Sequence, residues 1–299
     1  MPVRGLLIVN GFLKTDAVNE TYSSLIAGAK RAGIDMTLSV NSDYFVDLAD
    51  QTVRCIDPKV RAMLDDSAFI LFWNKDVFLG RALEREGHRL FNCADAIEYC
   101  DNKALTFEKL SGKVRVPRTY KIPMTFETVG YTTFGFEEFL GDTLGYPYVI
   151  KECYGSYGGQ VYLAGDRDEA VRILDSLDGK ECIAQEFIDT SRGRDLRAYV
   201  VGDRVVAAMV RSNADDFRSN IENGGCPSRY DITRQQEQMA VSATLKLGLD
   251  FAGVDILFGN NAEPILCEVN SNAQFRALLK ATDIDITDAL FEHIISSLP

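Results

Sequence analysis

Gly5–Val9 is apolar throughout, where a strand with one wet face would alternate, and this predicts a parallel strand buried on both faces. Met36–Val40, Phe69–Phe72 and Arg89–Asn92 are strand candidates of similar length. Between them, Asn19–Ala32 and Phe78–Glu86 carry helical spacing, and Gly33 is placed to end the first helix. Strand and helix alternating over the first 95 or so residues predict a small open α/β sheet.

The pattern then changes. A short helix is expected over Asp101–Leu110, broken by Val116-Pro117, and Phe136 to about Leu177 mixes helix, strand and glycine loop. Beyond Cys182, strands near 182–187, 196–201, 204–210, 252–258 and 264–269 are joined by helices near 233–247 and 283–297. The tight connection Val201-Gly202-Asp203-Arg204 makes a hairpin, so this region reads as α+β with an antiparallel sheet. Three units follow: residues 1–95, 96–182 and 183–299. No internal repeat or low-complexity linker interrupts them.

Composition narrows the classes. A content of 46% apolar residues over 299 positions is ample for a core. A net charge of −12 argues against nucleic-acid or anionic-membrane partners, which reward clustered Lys and Arg. The 7 cysteines form no C-x-x-C pair, as expected of free thiols in a reducing, cytoplasmic setting. No run approaches the roughly 18 apolar residues of a membrane helix, and no cleavage pattern follows the first strand.

Three constellations carry chemistry. Strand Tyr148-Val149-Ile150-Lys151 leads into the loop Gly155-Ser156-Tyr157-Gly158-Gly159, and Val161-Tyr162-Leu163 follows as a second strand. Such a loop can bring backbone N–H groups to phosphate, with lysine as a point charge; taken alone, an ordinary glycine hairpin fits as well. Next, Asp255 precedes Glu268 and Asn270 on neighbouring strands. Glu268 and Asn270, two apart, share a face, and two carboxylates with an amide oxygen suit a hard cation such as Mg²⁺. The third set is Arg194, Asp195 and Arg197, then Arg211, then Asp216-Phe217-Arg218-Ser219-Asn220. Asp195, Arg197 and Tyr199 alternate onto one strand face, where arginine suits a carboxylate or phosphate; salt-bridged surface arginines are the plainer reading.

Together these motifs resemble the ATP-grasp superfamily and, within it, the ribosomal-protein glutamate ligase (RimK) branch of carboxylate–amine ligases. The resemblance rests on Asp101-Asn102-Lys103, Val149-Ile150-Lys151 with its glycine loop, Gln185-Glu186-Phe187-Ile188 and Gly193-Arg194-Asp195-Leu196-Arg197. It continues through 216–220 with Gly224-Gly225, Ala252-Gly253-Val254-Asp255-Ile256 and Glu268-Val269-Asn270. It implies an ATP-grasp fold: an N-terminal open α/β domain, a small lid subdomain and a C-terminal antiparallel-sheet subdomain.

The resemblance also implies roles. Lys103 and Lys151 hold the ATP phosphates, Lys151 lying close to the adenine as well. Gln185, Glu186, Phe187 and Ile188 form the hinge strand that receives the base, mainly through backbone groups of Glu186 and Ile188. Asp195 serves the ribose or the nearby polar network, and Arg211 joins the nucleotide contacts. Arg218 steadies the transferring phosphoryl group, with Lys151 and Asn220 as its catalytic companions. Asp255, Glu268 and Asn270 bind Mg²⁺, for which Mn²⁺ substitutes, and Gly155, Ser156, Tyr157, Gly158 and Gly159 form a lid.

The implied reaction joins a carboxylate to an amine through an acyl phosphate, on an amino acid or a peptide; a homo-oligomer is left open. Rival readings are a peptide-modifying ligase making side-chain amide or ester crosslinks, and an inactive nucleotide-binding regulator. Two features depart from the branch. The loop reads Gly158-Gly159-Gln160 in place of Gly-x-Gly, and Ser271-Asn272-Ala273-Gln274-Phe275-Arg276 replaces Ala-Ser-Pro-Gly. Trp73 reads as packing, with a cleft wall as the alternative. Cys153 and Cys267 read as small packing residues, and His88 and His293 as helix-associated surface residues.

Overall fold

The computed structural model describes residues 2–155 and 158–298; Ser156 and Tyr157 of the expected lid lie outside them. In chain order the N-terminal region runs β1 (Val3–Val9), α1 (Asp16–Arg31), β2 (Ile34–Val40), β3 (Tyr44–Val46), β4 (Val53–Cys55), α2 (Pro58–Asp65), β5 (Phe69–Trp73), α3 (Val77–Arg85) and β6 (Leu90–Phe91). The central region follows with α4 (Ala94–Asp101), α5 (Lys103–Leu110), β7 (Thr119–Lys121), α6 (Gly135–Leu144), β8 (Tyr148–Glu152), β9 (Val161–Ala164), α7 (Arg167–Ser176) and β10 (Cys182–Glu186). The last region holds β11 (Arg194–Val201), β12 (Arg204–Ser212), β13 (Cys226–Arg229), α8 (Arg234–Leu247), β14 (Phe251–Phe258), β15 (Pro264–Asn270), α9 (Arg276–Thr282) and α10 (Ile286–Ser296).

The expected open sheet is present, parallel, in the order β2-β1-β5-β6. Helix α1 begins a turn before the sequence expectation because the Thr15 side chain accepts the Val18 N–H and caps it. The short helix expected over Asp101–Leu110 is α5, and α4 just before it is a further element. Asn102 adopts φ −103°, ψ 111°, ends α4, and accepts the Ala104 and Leu105 N–H groups as the cap of α5. Helix α9 is a further element that the sequence pattern did not disclose.

One face of the N-terminal sheet and one face of the C-terminal sheet bury a continuous core. Leu7, Phe69, Leu71, Trp73 and Phe91 meet Tyr199, Val201, Met209 and Phe251, with α1 and α10 closing the sides. Trp73 is 5% exposed and stacks on Phe251 at 5.7 Å and 10°, so its role is packing. Asn92, fully buried, saturates its amide across this junction. Its oxygen accepts the Asp250 and Phe251 N–H groups at 2.7 and 3.2 Å; its nitrogen donates to the Phe251 and Ser271 carbonyls at 2.9 and 3.0 Å.

The turn that departs from the family pattern is tied down in the same place. Asn272 donates to the Asn74 carbonyl at 2.9 Å, Thr21 bonds Gln274 at 2.6 Å, and Arg276 pairs with Glu20. The opposite face of the C-terminal sheet packs on α8, through Leu196, Ala198, Val200, Val254 and Ile256. The central sheet, order β7-β10-β8-β9, is antiparallel and backs onto α6 and α7 with Tyr148, Ile150, Ala164, Cys182 and Ala184.

Candidate active site

Register decides what the central sheet shows to the other side. Thr119, Gln185 and Val149 sit opposite one another across β7, β10 and β8, and Lys151 pairs with Ile183 and Val161 two positions along. Directly opposed residues share a face, so Thr119, Gln185, Val149, Lys151 and Val161 all lie away from the α6–α7 core. Lys151 and Gln185 are 7% and 2% exposed. The Lys151 ammonium donates to the Gln185 side-chain oxygen at 2.7 Å, and lies 3.8 Å from the Cys267 thiol.

The C-terminal sheet supplies the facing wall. Asp195 pairs in register with Arg211, Arg197 with Asp255, and Asp255 with Glu268. A register shift follows Asp255: Ile256 pairs with Leu266, which leaves Cys267 as the extra residue. In a regular strand Leu266 and Glu268 would share a face. The bulge lets Leu266 stay in the α8-facing core while Cys267 and Glu268 both turn to the cavity. Cys267 is therefore a wall residue of the site rather than the packing residue that its strand position suggested; Cys153 is fully buried and packs.

Four charges on this wall are buried together. Arg197 grips both oxygens of Asp255, with the Nη2–Oδ2 bond at 2.7 Å; Arg211 grips both oxygens of Asp195 and reaches Asp255 at 3.1 Å. Two positive and two negative groups cancel, which is what burial requires. Burial pushes the Asp195 carboxyl up, with Arg211 acting against it. Burial works the same way on Asp255, but the charges of Arg197 and Arg211 outweigh it and hold that carboxyl below the usual range.

Between the walls lies a cavity of about 110 Å³. Of the described residues to which the family resemblance gives a nucleotide, catalytic or metal role, Lys103, Lys151, Gly155, Gly158, Gln185, Glu186, Phe187, Ile188, Asp195, Arg211, Arg218, Asn220, Asp255 and Glu268 line it; Gly159 and Asn270 do not. Asn270 lines a wider neighbouring cavity of about 590 Å³, which shares Gly155, Arg211, Asn220 and Glu268 with the first. Thr15, Lys75, Gln274, Arg276 and Lys280 also line the wider cavity.

Residues without an assigned role in the sequence also line the first cavity: Val149, Val161, Leu257 and Ser191, along with Cys267. Two-residue alternation from Lys151 would have found Val149. The same alternation from Asp255 would have found Leu257, and finding Val161 needs the pairing register as well.

The loops complete the enclosure. Lys103, the first residue of α5, donates to the Gly155 carbonyl at 3.3 Å and stands 3.7 Å from Glu268. Arg218 is clamped by Asp216, at 2.7 Å through Nη2, and donates to the Gly158 carbonyl at 2.8 Å. Gly158 has φ +72°, and a Cβ there would lie 2.7 Å from the Asn220 amide oxygen, so only glycine fits at this approach. Glu186 turns its carboxylate to the Arg118 N–H at 3.2 Å, away from the cavity.

The donor set bears on a cation. Among the described residues no cluster of three or more His, Cys, Asp or Glu side chains forms a metal site. Asp255 and Glu268 are cross-strand partners, and Asn270 follows two residues on, an all-oxygen set of the kind hard divalent ions take. Both Asp255 oxygens already accept arginine bonds; Oδ1 has a single partner and so keeps a lone pair for a cation. The residues fit such an ion, with Glu268 the least committed of the three.

Known proteins share this organisation. The profile of the RimK-like ATP-grasp domain matches residues 119–294. Human N-acetylaspartylglutamate synthase A is 32% identical over 228 residues, 76% of this chain and 57% of that protein. A probable alpha-L-glutamate ligase of Maridesulfovibrio salexigens is 34% identical over 204 residues, 66% of this chain and 67% of its own. The chain thus spans little more than half the length of the synthase. The structure of a D-alanine–D-alanine ligase from Bacillus anthracis, complexed with ATP, superposes with a TM-score of 0.72 over 99% of this chain and 97% of that one, at 16% identity. No described helix is long and apolar enough to cross a membrane. The matched profile spans more than half of the sequence, and the chain belongs to the RimK-like ATP-grasp family.

Proposed function

We propose that the chain is an ATP-dependent carboxylate–amine ligase that joins an amino acid or peptide carboxylate to an amine. The observation that carries this reading is the convergence of Lys103, Lys151, Arg218 and Glu268 from four separate stretches of chain onto one cavity. Three cations beside a carboxylate and an apolar slot make a setting for a polyphosphate attached to a base. Val149, Val161, Ile188 and Leu257 offer the apolar surface for the base, and Glu186 keeps its side chain clear of it.

In this reading Lys103, Lys151 and Arg218 bind the phosphates, and Arg218 offsets the charge that builds up as the phosphoryl group moves. Glu268, Asn270 and Asp255 would hold Mg²⁺, which supplies charge neutralisation at the phosphate oxygens. Transfer of the phosphoryl group to the carboxylate gives an acyl phosphate; the amine then displaces phosphate and loses a proton to leave the amide. The wider cavity adjoins Glu268 and takes the carboxylate and amine substrates. The glutamate-ligating relatives make glutamate the first amine to test. The Gly155–Gly159 loop acts as the lid that keeps water off the acyl phosphate.

The test is ADP and phosphate release from ATP and Mg²⁺ across glutamate, other amino acids and short peptides, comparing the native protein with Glu268→Ala. Substrate-dependent ADP release lost in the variant is expected. Absence of any ATP binding would overturn the reading.

A further inference from the structure

Lys151 is held by a chain of hydrogen bonds that has a direction. The Thr119 hydroxyl donates its proton to the Pro117 carbonyl at 2.8 Å. With that proton committed, the Thr119 oxygen can only accept, and it accepts from the Gln185 amide nitrogen at 2.8 Å. The Gln185 amide is thereby turned so that its oxygen faces the Lys151 ammonium at 2.7 Å. An amide has one accepting end and one donating end. In the opposite orientation two donors would meet at Lys151, and two acceptors at Thr119.

We infer that Thr119, on the edge strand β7 and outside the cavity lining, is a positioning residue for Lys151, acting through the orientation of Gln185. The inference rests on the reading of the cavity as a nucleotide site. Gln185 is 2% exposed, so water has little room to replace either partner. The register makes the arrangement available: Thr119 and Gln185 are directly opposed, and Lys151 lies diagonally across on the next strand. A serine at 119 preserves the chain. A valine keeps the β-branched shape and removes the acceptor.

Calorimetric titration with MgATP tests this. Thr119→Val is expected to weaken binding by about tenfold, on the scale of one buried hydrogen bond, and Thr119→Ser by less than about twofold. The decisive arm is a double-mutant cycle with Gln185→Glu. A carboxylate presents an oxygen to Lys151 in either orientation, so Thr119 no longer decides what Lys151 meets, and Thr119→Val added to Gln185→Glu is expected to change affinity by less than about twofold.

An equal loss from Thr119→Val in both backgrounds would mean a merely structural role and would overturn the inference. So would native affinity in Thr119→Val, or a serine variant as weak as the valine one. Should Thr119→Val not fold, Thr119→Ala is read in the same cycle. If the native protein binds no MgATP, the nucleotide reading falls and this inference with it. If the native protein binds and Lys151→Met does not, the nucleotide reading stands and the cycle alone decides the role of Thr119.

Discussion

The two walls of the cavity hold their charges by opposite means. On the central sheet one cation, Lys151, is aimed by neutral groups, Gln185 and Thr119. On the C-terminal sheet Arg197 and Arg211 are locked against Asp255 and Asp195, and little net charge reaches the cavity from that quartet. A neutral support leaves the charge of Lys151 uncancelled and available to a ligand. A closed ion network holds its members rigidly and gives up charge only if a partner is displaced. The first wall is suited to recognition, and the second to a fixed frame for Glu268.

That contrast can be broken most directly at Asp255. Asp255→Ala would leave two buried arginines with one carboxylate, and a loss of about 3–5 kcal/mol is expected in urea unfolding. A loss no larger than that of Gln185→Leu would dissolve the distinction between the walls. Gly253→Ala acts on the same frame from below: its new methyl would collide with Ala273 and press on the Arg197 side chain, for an expected cost of about 1–3 kcal/mol. Gln185→Leu removes one bond from the Lys151 ammonium and one neutral bond on the other wall and should cost about 2 kcal/mol, read by the same unfolding. Smallest in stability is Lys151→Met, within about 0.5 kcal/mol of native because its stem still packs, yet MgATP affinity by calorimetry should fall at least tenfold, by about 1.4 kcal/mol. A stability loss equal to that of Asp255→Ala would show that Lys151 belongs to the frame.

Much of the molecule could be read from pattern alone because its causes are local. Uniform apolarity at Gly5–Val9, alternation at Asp195, Arg197 and Tyr199, and the turn at Gly202 each announce an element from within a few residues. The cavity residues were legible as motifs, and their common destination follows from strand register. What stayed hidden depends on partners distant in sequence. Nothing near Asp255 says that Arg197 and Arg211 will claim its oxygens, and nothing near Cys267 says that the strand takes an extra residue there. The same holds for the 271–276 turn, whose departure from the family pattern coincides with ties to Asn74, Thr21 and Glu20. Helix α4 was missed for a local reason: Cys93 at its start makes no side-chain cap, so no residue there signals a helix start.

The core shared by the first and last sheets separates two notions of a unit. The family profile matches residues 119–294, yet Tyr199, Met209 and Phe251 within that span are covered by Leu7, Phe69, Trp73 and Phe91 from outside it. A fragment cut to residues 119–294 would present that apolar face to water and to other copies of itself, and should aggregate where the longer chain does not. The family profile covers one stretch of this protein, but folding needs a larger one. A grafted or recombined version of that span would have to bring a matching cover for Phe251 with it.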